Sequence, residues 1–469
     1  ELFYHQLMLA RCQKYYHRQE RGIRFRLEKT HTTRLKQSLP FTLTGAQKRV
    51  IREIVEDMTS HRQMNRLLQG DVGSGKTIIT LFAMLIAVEN GYQGVLMAPT
   101  EILAEQHYRN FKKLLGNQPE IRITLLKGGN YRGKKADKQM IASGEMKIVI
   151  GTHALLQKDV AFSKVGFACI DEQHRFGVEQ RAFLSRKNDN PDLLYLSATP
   201  IPRSLALTVY GDLDISILDE LPPGRKPIMT VWKNSDQLEE LHDDIRDQIK
   251  KGRQVYIVCP LIEESAKINL RDAETTFEEI SRIFSEYRVA LLHGRMNTAA
   301  KDEVMHDFKR GNIAILVSTT VIEVGIDVPN ATIMVIEHAE RFGLSQLHQL
   351  RGRIGRGAAE SVCYLISHPP LSREARERLQ TMVMTNDGFL IAEKDLELRG
   401  PGEFFGTEQS GLPAFRHANI VRDRDILHQA RWQAFQIIEK DPEMASTENA
   451  ILSRIYRENY QEREKLFYY

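Results

Sequence analysis

The order of apolar and polar positions divides the chain into two similar series of strands and helices. In the first series, short apolar runs that are typical of buried strands alternate with helical stretches. The second series repeats this pattern after residue 225. The predicted strands contain Leu67-Leu68, Val95–Met97, Ile148–Ile150, Ala168–Ile170, Leu193–Leu196, Val255–Val258, Val289–Leu292, Ile313–Val317, Ile333–Ile336 and Val362–Ile366. Such alternation predicts an α/β fold with two tandem lobes, each built on a parallel sheet covered on both faces.

Breaks in this pattern predict the domain boundaries. Before the first series, Val50, Ile51, Ile54, Val55 and Met58 recur at helical spacing, which predicts an amphipathic helix. Between the series, the segment 221–225 contains two prolines and a glycine, as a linker does. After about residue 372 the pattern predicts a helix, a turn at 386–388, a second helix and then a loop that contains Gly400, Gly402, Gly406 and Gly411. We therefore expect a linker helix and basic run (1–39), two lobes (40–220 and 225–371), a helical hairpin and loop (372–415), and a helical C-terminal extension (416–469).

Composition narrows the class of protein. A chain of 469 residues exceeds what one hydrophobic core usually supports, and its 42% hydrophobic and 27% charged residues are typical of globular proteins. The four cysteines are far apart in the sequence and have neither metal-binding nor redox spacing, which favours a reducing cytoplasm. We see no signal peptide and no apolar stretch long enough to span a membrane. We therefore expect a cytoplasmic protein with no membrane partner.

Charge alone does not identify a ligand. The formal net charge of +4 is small for this length, so local patches have to provide any attraction to nucleic acid. One basic run lies between Arg11 and Lys36. A DNA-contacting role and a solvated helix face both explain this run.

A glycine-rich segment after the first predicted strand has the pattern of a phosphate-binding loop. Its residues are Gly70, Asp71, Val72, Gly73, Ser74, Gly75, Lys76 and Thr77, and a helix is predicted to begin near Thr77. Glycines let consecutive N–H groups turn towards one anion, and the helix N-terminus adds a positive field. We expect Lys76 to reach the β- and γ-phosphates of ATP and Thr77 to bind Mg²⁺. A glycine-rich turn without a ligand is the alternative.

Two adjacent carboxylates follow a predicted buried strand. Asp171 and Glu172 stand at the carboxyl end of the strand that contains Ala168–Ile170, where open α/β sheets bind their ligands. We expect Asp171 to hold Mg²⁺ and Glu172 to orient and deprotonate the attacking water. An ordinary solvated turn is the alternative interpretation.

Gln47 is a candidate for contact with the adenine base. A side-chain amide can both donate and accept along a base edge, and Phe41 precedes it closely in the sequence. The alternative is a glutamine that faces solvent on the amphipathic helix.

The second lobe contains an arginine-rich segment at residues 349–357. Its glycines allow close backbone approach, and its arginines could reach the nucleotide of the first lobe. Arg353 and Arg356 would then act as arginine fingers that stabilise charge on the transferring phosphoryl group. A basic loop that contacts only nucleic-acid phosphates is the alternative.

The full set of motifs resembles the superfamily 2 helicases, whose order and approximate spacing it follows along essentially the whole chain. Besides the segments above, the motifs include Ala98–Glu101, Gly151–His153, Ser197–Thr199 and Ser318–Asp327. The resemblance implies two RecA-like lobes that use ATP and Mg²⁺. It also implies that one set of residues contacts the nucleic-acid backbone and that Ser197 and Thr199 link this set to the ATP site. The set comprises Pro99, Thr100, Thr152, His153, Thr319 and Thr320. Each threonine could instead be a turn or capping residue.

The C-terminal segment narrows the resemblance to one family. Residues 387–411 are similar to the translocation motif of the RecG family and of the transcription-repair coupling factor, a helical hairpin and loop that links ATP turnover to movement on duplex DNA. The runs Asp171–Gly177 and Leu398–Gly402 resemble the RecG family more closely. Arg399 and Gln409 are the candidate coupling residues, and a purely structural hairpin is the alternative.

This resemblance implies an ATP-dependent DNA helicase, or double-stranded DNA translocase, that acts on branched DNA in fork reversal, Holliday junction branch migration, recombination and repair. The family carries an N-terminal wedge domain, and we expect this chain to be the motor portion without it. A monomer is expected, with a single-stranded-DNA-binding protein as a candidate partner in the cell. Three alternatives remain: a coupling-factor-like translocase, an Asp-Glu-x-His RNA helicase, and a scaffold that clamps ATP and DNA without turnover.

Overall fold

The computed structural model describes most of the chain and divides it into two compact units. The described residues are 1–18, 22–128, 133–157, 159–171, 190–197, 202, 213–222, 224, 226–260, 266–319, 328–357, 359–404, 415, 417–419 and 422–460. One unit comprises Glu1–Gly70, Ser74–Glu220 and Arg399–Tyr469, and the other comprises Asp71–Gly73 and Leu221–Leu398. In the part of the chain that is described, no helix is long and apolar enough to cross a bilayer.

The first unit contains a seven-stranded sheet in which all neighbouring strands are parallel. The strands are β1 (Asn65–Gly70), β2 (Gln93–Met97), β3 (Ile123–Leu126), β4 (Ile148–Gly151), β5 (Val165–Asp171), β6 (Asp192–Ser197) and β7 (Asp214–Leu218). Their order across the sheet is β3-β4-β2-β5-β6-β1-β7. The five strands predicted from apolar runs are all present, and they occupy the centre of the sheet, from β4 to β1.

Helices of the first unit cover this sheet. They are α1 (Leu2–Arg18), α2 (His31–Ser38), α3 (Gly45–Thr59), α4 (Lys76–Glu89), α5 (Glu101–Leu114) and α6 (Lys134–Ala142). Helix α3 is the predicted amphipathic helix, and Val50, Ile54 and Met58 on its inner face are buried. Helix α4 is buried along nearly its whole length, from Ile78 to Val88, because it is uniformly apolar.

The second unit contains a six-stranded parallel sheet of order β10-β11-β9-β12-β13-β8. Its strands are β8 (Met229–Asn234), β9 (Gln254–Val258), β10 (Val289–Leu292), β11 (Ile315–Ser318), β12 (Ala331–Ile336) and β13 (Val362–Ser367). Its helices are α7 (Glu239–Lys250), α8 (Ala266–Ile283), α9 (Thr298–Lys309), α10 (Leu344–Arg351) and α11 (Arg373–Met384), and α12 (Gly388–Phe404) begins in this unit. The prediction of two parallel-sheet lobes is therefore confirmed.

Helix α12 differs from the sequence prediction. The glycines at 400 and 402 and the proline between them were expected to begin a loop, yet the helix continues to Phe404. Proline removes one backbone donor and glycine lowers helix propensity, so composition argued for a stop at this point. The glycine-rich loop was therefore predicted to start too early.

The predicted linker helix α1 packs against the C-terminal extension. Helices α13 (Arg424–Lys440) and α14 (Ala450–Asn459) form this extension, and α1 shares a hydrophobic core with both. Leu7, Leu9, Ala434 and Tyr456 are among the buried side chains of that core. Gln13 Nε2 also donates to Asp214 Oδ1 at the edge strand β7, over 3.0 Å. Helix α1 is thus an integrated part of the first unit.

Several cations of the basic run make contacts inside the chain. Arg11 donates to the Pro442 carbonyl over 3.1 Å, and its guanidinium carbon lies 5.3 Å from the centre of the Tyr456 ring. Arg34 forms a 2.7 Å ion pair with Glu120. These side chains stabilise the fold locally, which the interpretation as a DNA-contacting run did not anticipate.

Asp192 is a buried carboxyl group at the first position of β6. Its Oδ1 accepts from the Met64 N–H over 2.7 Å, and its side chain is fully buried. Burial raises the pKa of Asp192 well above its usual range, although the Met64 hydrogen bond opposes the shift. Because the folded-state pKa is raised, the folded state binds this proton more tightly than the unfolded state does.

We expect Asp192→Asn to stabilise the protein at high pH. The wild type should lose stability as the pH rises from about 4 through the raised folded-state pKa, whereas an asparagine has no proton to lose. The melting temperature of the variant should exceed that of the wild type by a few degrees at pH 8, and the gap should close towards pH 4. The exposed Asp236 offers a control, Asp236→Asn. A gap that is constant with pH would contradict the assignment.

Candidate functional site

The parallel strands of the first unit bring the predicted site residues to one edge of the sheet. Strands β1, β5 and β6 end at Gly70, Asp171 and Ser197, and β2 and β4 end at Met97 and Gly151. In register, Gln69 pairs with Ser197, Asp171 pairs with Leu196, and Met97 pairs with both Ile170 and Gly151. The segments that follow these five strands therefore begin at one level along the sheet, at its carboxyl edge.

The phosphate-loop candidate connects β1 to α4 as predicted. Gly73 and Gly75 have φ angles of 83° and 96°, a region that side chains with a Cβ atom rarely adopt. A Cβ atom on Gly75 would also lie 2.3 Å from the Gln47 side-chain nitrogen. Lys76 begins α4, and its Nζ donates to the Gly70 carbonyl over 2.5 Å. Thr77 lies in the first turn of the same helix and is partly exposed.

Gln47 is buried and holds the loop against helix α3. Its Nε2 donates to the Ser74 carbonyl over 2.9 Å, and its Oε1 accepts from the Thr44 N–H over 3.0 Å. Thr44 Oγ1 in turn accepts from the Gln47 N–H, which completes a capping box at the start of α3. The alternative of a solvent-facing glutamine is wrong, because Gln47 is only 1% exposed. A side-chain amide has two donors and two acceptor lone pairs, so these two bonds do not use its full hydrogen-bonding capacity.

Asp171 ends β5 and is bonded to a helix of the first unit. Its Oδ2 lies 2.8 Å from Nε2 of His107, which belongs to α5. Two residues earlier in β5, burial raises the pKa of the Cys169 thiol well above its usual range, and the charge of Asp171 adds to that shift. No sequence pattern indicates the pairing with His107, because the two residues are 64 positions apart in the chain.

The predicted nucleic-acid contacts of the first unit lie at the same sheet edge with different exposure. Pro99 and Thr100 are partly exposed, His153 is exposed, and Thr152 and Ser197 are buried. Thr100 caps α5, since its Oγ1 accepts from the Leu103 N–H over 3.4 Å. The capping interpretation therefore holds for Thr100, whose carbonyl also accepts from the Ala104 N–H over 3.0 Å.

In the second unit, Thr319 follows a strand, and Arg353 and Arg356, the candidate arginine fingers, follow a helix. Thr319 comes directly after β11 and is buried. Arg353 and Arg356 follow α10, and both are partly buried. Between them, Gly355 has a φ of 73°, and a Cβ atom there would lie 3.0 Å from Ile228. The backbone of this segment is thus fixed by packing.

Arg351, the first arginine of this segment, is a structural residue. It is 2% exposed, and its Nη1 donates to the carbonyls of Met382 and Thr385 over 2.9 and 3.0 Å. The same atom lies 3.2 Å from Thr230 Oγ1, and Nη2 lies 3.1 Å from His348 Nδ1. Burial lowers the pKa of the Arg351 guanidinium. Because Met382 and Thr385 end helix α11, Arg351 ties the arginine segment to the predicted hairpin.

Five predicted site residues are described only in part or not at all. Glu172, Thr199, Thr320 and Gln409 lie outside the described residues. The backbone of Arg399 belongs to helix α12, and its side chain is not described. Among the side chains that are described, no group of three or more His, Cys, Asp or Glu is arranged to hold a metal ion.

Comparison with known proteins identifies the family to which this chain is similar. Residues 44–208 match the DEAD/DEAH box helicase model, residues 234–358 match the helicase conserved C-terminal domain, and residues 385–463 match the C-terminal part of domain 3 of ATP-dependent DNA helicase RecG. The chain is 47% identical over 470 residues to ATP-dependent DNA helicase RecG of Bacillus subtilis and 49% identical over 450 residues to that of Streptococcus pneumoniae.

The matches cover nearly all of this chain and part of each relative. They include 99% of the chain and 68% of the Bacillus protein, and 94% of the chain and 66% of the Streptococcus protein. A solved structure of RecG bound to a three-way DNA junction is similar, with 45% identity and a TM-score of 0.73 over 91% of this chain and 56% of that one. The chain thus spans about two thirds of these two relatives and just over half of that structure's chain.

We expect Arg351→Lys to loosen the end of helix α11. A lysine keeps the charge but cannot present the planar fork, so one or more buried carbonyls should lose a partner at a cost of about 1–3 kcal/mol each. Hydrogen exchange of the amides at 382–387 should become faster in the variant. Arg373→Lys is the matched control, because Arg373 starts the same helix with an exposed side chain. Unchanged exchange in Arg351→Lys would show that the fork does not hold the helix.

Proposed function

The chain belongs to the RecG family of ATP-dependent DNA helicases, and from this premise we propose that it is an ATP-driven motor that translocates on double-stranded DNA and remodels branched DNA. In the whole protein this activity would serve fork reversal and Holliday junction branch migration. The observation that carries the proposal is the tie made by Arg351, which joins the segment of the candidate arginine fingers to the first helix of the hairpin. A solved relative described as bound to a three-way DNA junction supports branched DNA as the substrate class.

In the proposed ATP site, the loop after β1 cradles the phosphates. Lys76 donates to the Gly70 carbonyl, and phosphate oxygens would compete for that donor as the stronger, charged acceptors. The remaining loop residues, from Asp71 to Gly75, would offer backbone N–H groups to the phosphates. Gln47 would contact the adenine with the hydrogen-bonding capacity that its two structural bonds leave.

The residues of the first unit fit a magnesium ion. Thr77 and Asp171 offer a hydroxyl and a carboxylate oxygen, the hard ligands that Mg²⁺ prefers, and Mg²⁺ in such sites keeps waters and binds substrate phosphates rather than a full protein cage. A bound Mg²⁺ would neutralise charge that develops on the phosphates. Glu172 would orient and deprotonate the attacking water, and Arg353 and Arg356 would stabilise charge on the transferring phosphoryl group.

The proposed track is duplex DNA held through its backbone. Pro99, Thr100, Thr152 and His153 in the first lobe, with Thr319 and Thr320 in the second, would position the backbone without reading its sequence. Ser197 and Thr199 would connect this contact to the ATP site, and Arg399 and Gln409 would couple turnover to movement. The proposal includes a monomeric state, a location in the bacterial cytoplasm, and a single-stranded-DNA-binding protein as a cellular partner.

We expect duplex and branched DNA to stimulate ATP hydrolysis more than single-stranded RNA does, by about tenfold or more in kcat/KM. Phosphate release would be measured with single-stranded, duplex, forked and four-way DNA and with RNA. Lys76→Ala and Glu172→Gln provide background rates without turnover. Strongest stimulation by RNA would favour the Asp-Glu-x-His RNA helicase. Release no faster than in Lys76→Ala on every substrate would favour a scaffold that binds without hydrolysis.

We expect Arg399→Ala to separate ATP hydrolysis from movement. The variant should keep DNA-stimulated hydrolysis within about twofold of the wild type, while displacement of a strand from forked DNA falls by about tenfold or more. Both rates would be measured on the same substrate. A comparison with Lys394→Ala, a partly exposed residue of the same helix, controls for a change of surface charge. Equal loss of both activities in Arg399→Ala would indicate a purely structural hairpin.

A further inference from the structure

His107 and Asp171 form a buried side-chain pair at the carboxyl edge of the first sheet. The Nε2 atom of His107 lies 2.8 Å from Asp171 Oδ2, and the two residues are 7% and 8% exposed. Asp171 ends strand β5, and His107 is on the second turn of helix α5. An ionised carboxylate can only accept hydrogen bonds, so the imidazole N–H is the donor.

The hydrogen bond from His107 restricts the orientation of the Asp171 carboxylate. The terminal torsion of an aspartate is broad, so its two oxygens rotate easily unless something holds them. A buried donor at Oδ2 restricts this rotation and fixes where Oδ1 points. Hydrogen bonds of this kind to metal-binding side chains commonly change metal affinity by about 10–100-fold when they are removed.

The imidazole itself is held by packing along α5. Ala104 and Phe111, one turn before and one turn after, are buried in the main hydrophobic core of the first unit. The rings of His107 and Phe111 are 6.3 Å apart at an angle of 59°. Within the described residues, Nδ1 of His107 has no hydrogen-bond partner, so its described hydrogen bonding rests on Nε2.

Helix α5 also carries the proposed nucleic-acid contacts at its N-terminus. Thr100 caps the helix and Pro99 precedes it. His107 lies about 10 Å further along the axis, at 1.5 Å for each residue. Because Thr100 caps the helix that carries His107, a displacement of α5 along its axis would move both the capped end and the donor that holds Asp171.

We propose that His107 is a positioning residue that orients the Asp171 carboxylate for its divalent cation and transmits the state of the nucleic-acid contact at Pro99 and Thr100 to that cation. This inference rests on the proposed role of Asp171 in binding Mg²⁺. His107 acts through Asp171 and does not itself touch the metal ion or the nucleotide.

The test is direct binding of Mn²⁺, as a paramagnetic substitute for Mg²⁺, in the presence of a non-hydrolysable ATP analogue. Bound and free Mn²⁺ would be distinguished by electron paramagnetic resonance, with and without duplex DNA. We expect His107→Ala to weaken Mn²⁺ binding by about tenfold. His107→Gln should restore much of the affinity, because its side-chain nitrogen can reach a position near that of Nε2. Duplex DNA should change the Mn²⁺ affinity of the wild type by about fivefold or more and leave that of His107→Ala unchanged. A wild-type affinity that does not respond to DNA would overturn the transmission role.

Two control variants separate the ways in which this inference could fail. Phe111→Leu disturbs the same buried face of α5 without touching Asp171, so it should lower the melting temperature and leave Mn²⁺ affinity unchanged. Asp171→Asn tests the metal role itself. If Asp171→Asn binds Mn²⁺ like the wild type, the proposed magnesium site is wrong. If Asp171→Asn loses Mn²⁺ while His107→Ala retains wild-type affinity, or if Phe111→Leu weakens binding as much as His107→Ala, the positioning role of His107 is wrong.

Discussion

The parallel hydrogen-bonded register of the first sheet is the constraint on which the rest of the site depends. Parallel strands end at the same edge, so segments that are far apart in the sequence must emerge side by side. The central strands are buried on both faces, which fixes their register through continuous apolar packing. Hence the loop after β1, the carboxylate at the end of β5 and the threonines that follow β2 and β4 all lie at one edge of the sheet.

Buried side-chain hydrogen bonds then fix the positions of the residues that the sheet brings to this edge. A sheet edge places the start of a loop, but a loop of glycines has many conformations. The Gln47 bond to the Ser74 carbonyl anchors the phosphate loop to a capped helix, and the His107 bond anchors Asp171 to another. Both ties are buried, where loss of one partner leaves a polar group uncompensated, so they hold more firmly than surface bonds do.

The sequence predicted every strand of the two sheets except β3, β7 and β8, and it placed the phosphate-loop candidate between β1 and α4, because these features depend on local patterns. Three of the four edge strands were missed for a physical reason, whereas the edge strand β10 is a continuous apolar run and was predicted. Strands β3 and β7 are only partly buried, and β8 mixes apolar residues with Lys233 and Asn234, so none of them gives a continuous apolar run. The pairing of His107 with Asp171 could not be predicted, because it depends on how far along the strand direction α5 is positioned where it packs against the sheet. Helix α12 continues through Gly400, so the low helix propensity of glycine does not decide where this helix ends.

Arg351 illustrates how a motif residue can act without touching a ligand. A buried guanidinium carries a desolvation cost, which its lowered pKa reflects, and its hydrogen bonds go to neutral oxygens and a histidine. A lysine at this position could not donate to all of these acceptors, so carbonyls at the end of α11 would be left unpaired. Because Arg353 and Arg356 follow Arg351 on the same backbone segment, a displacement of these two arginines would act on the hydrogen bonds of Arg351. If Arg353 and Arg356 act on the nucleotide as proposed, the hydrogen bonds of Arg351 connect that chemistry directly to helix α11, the first helix of the predicted hairpin.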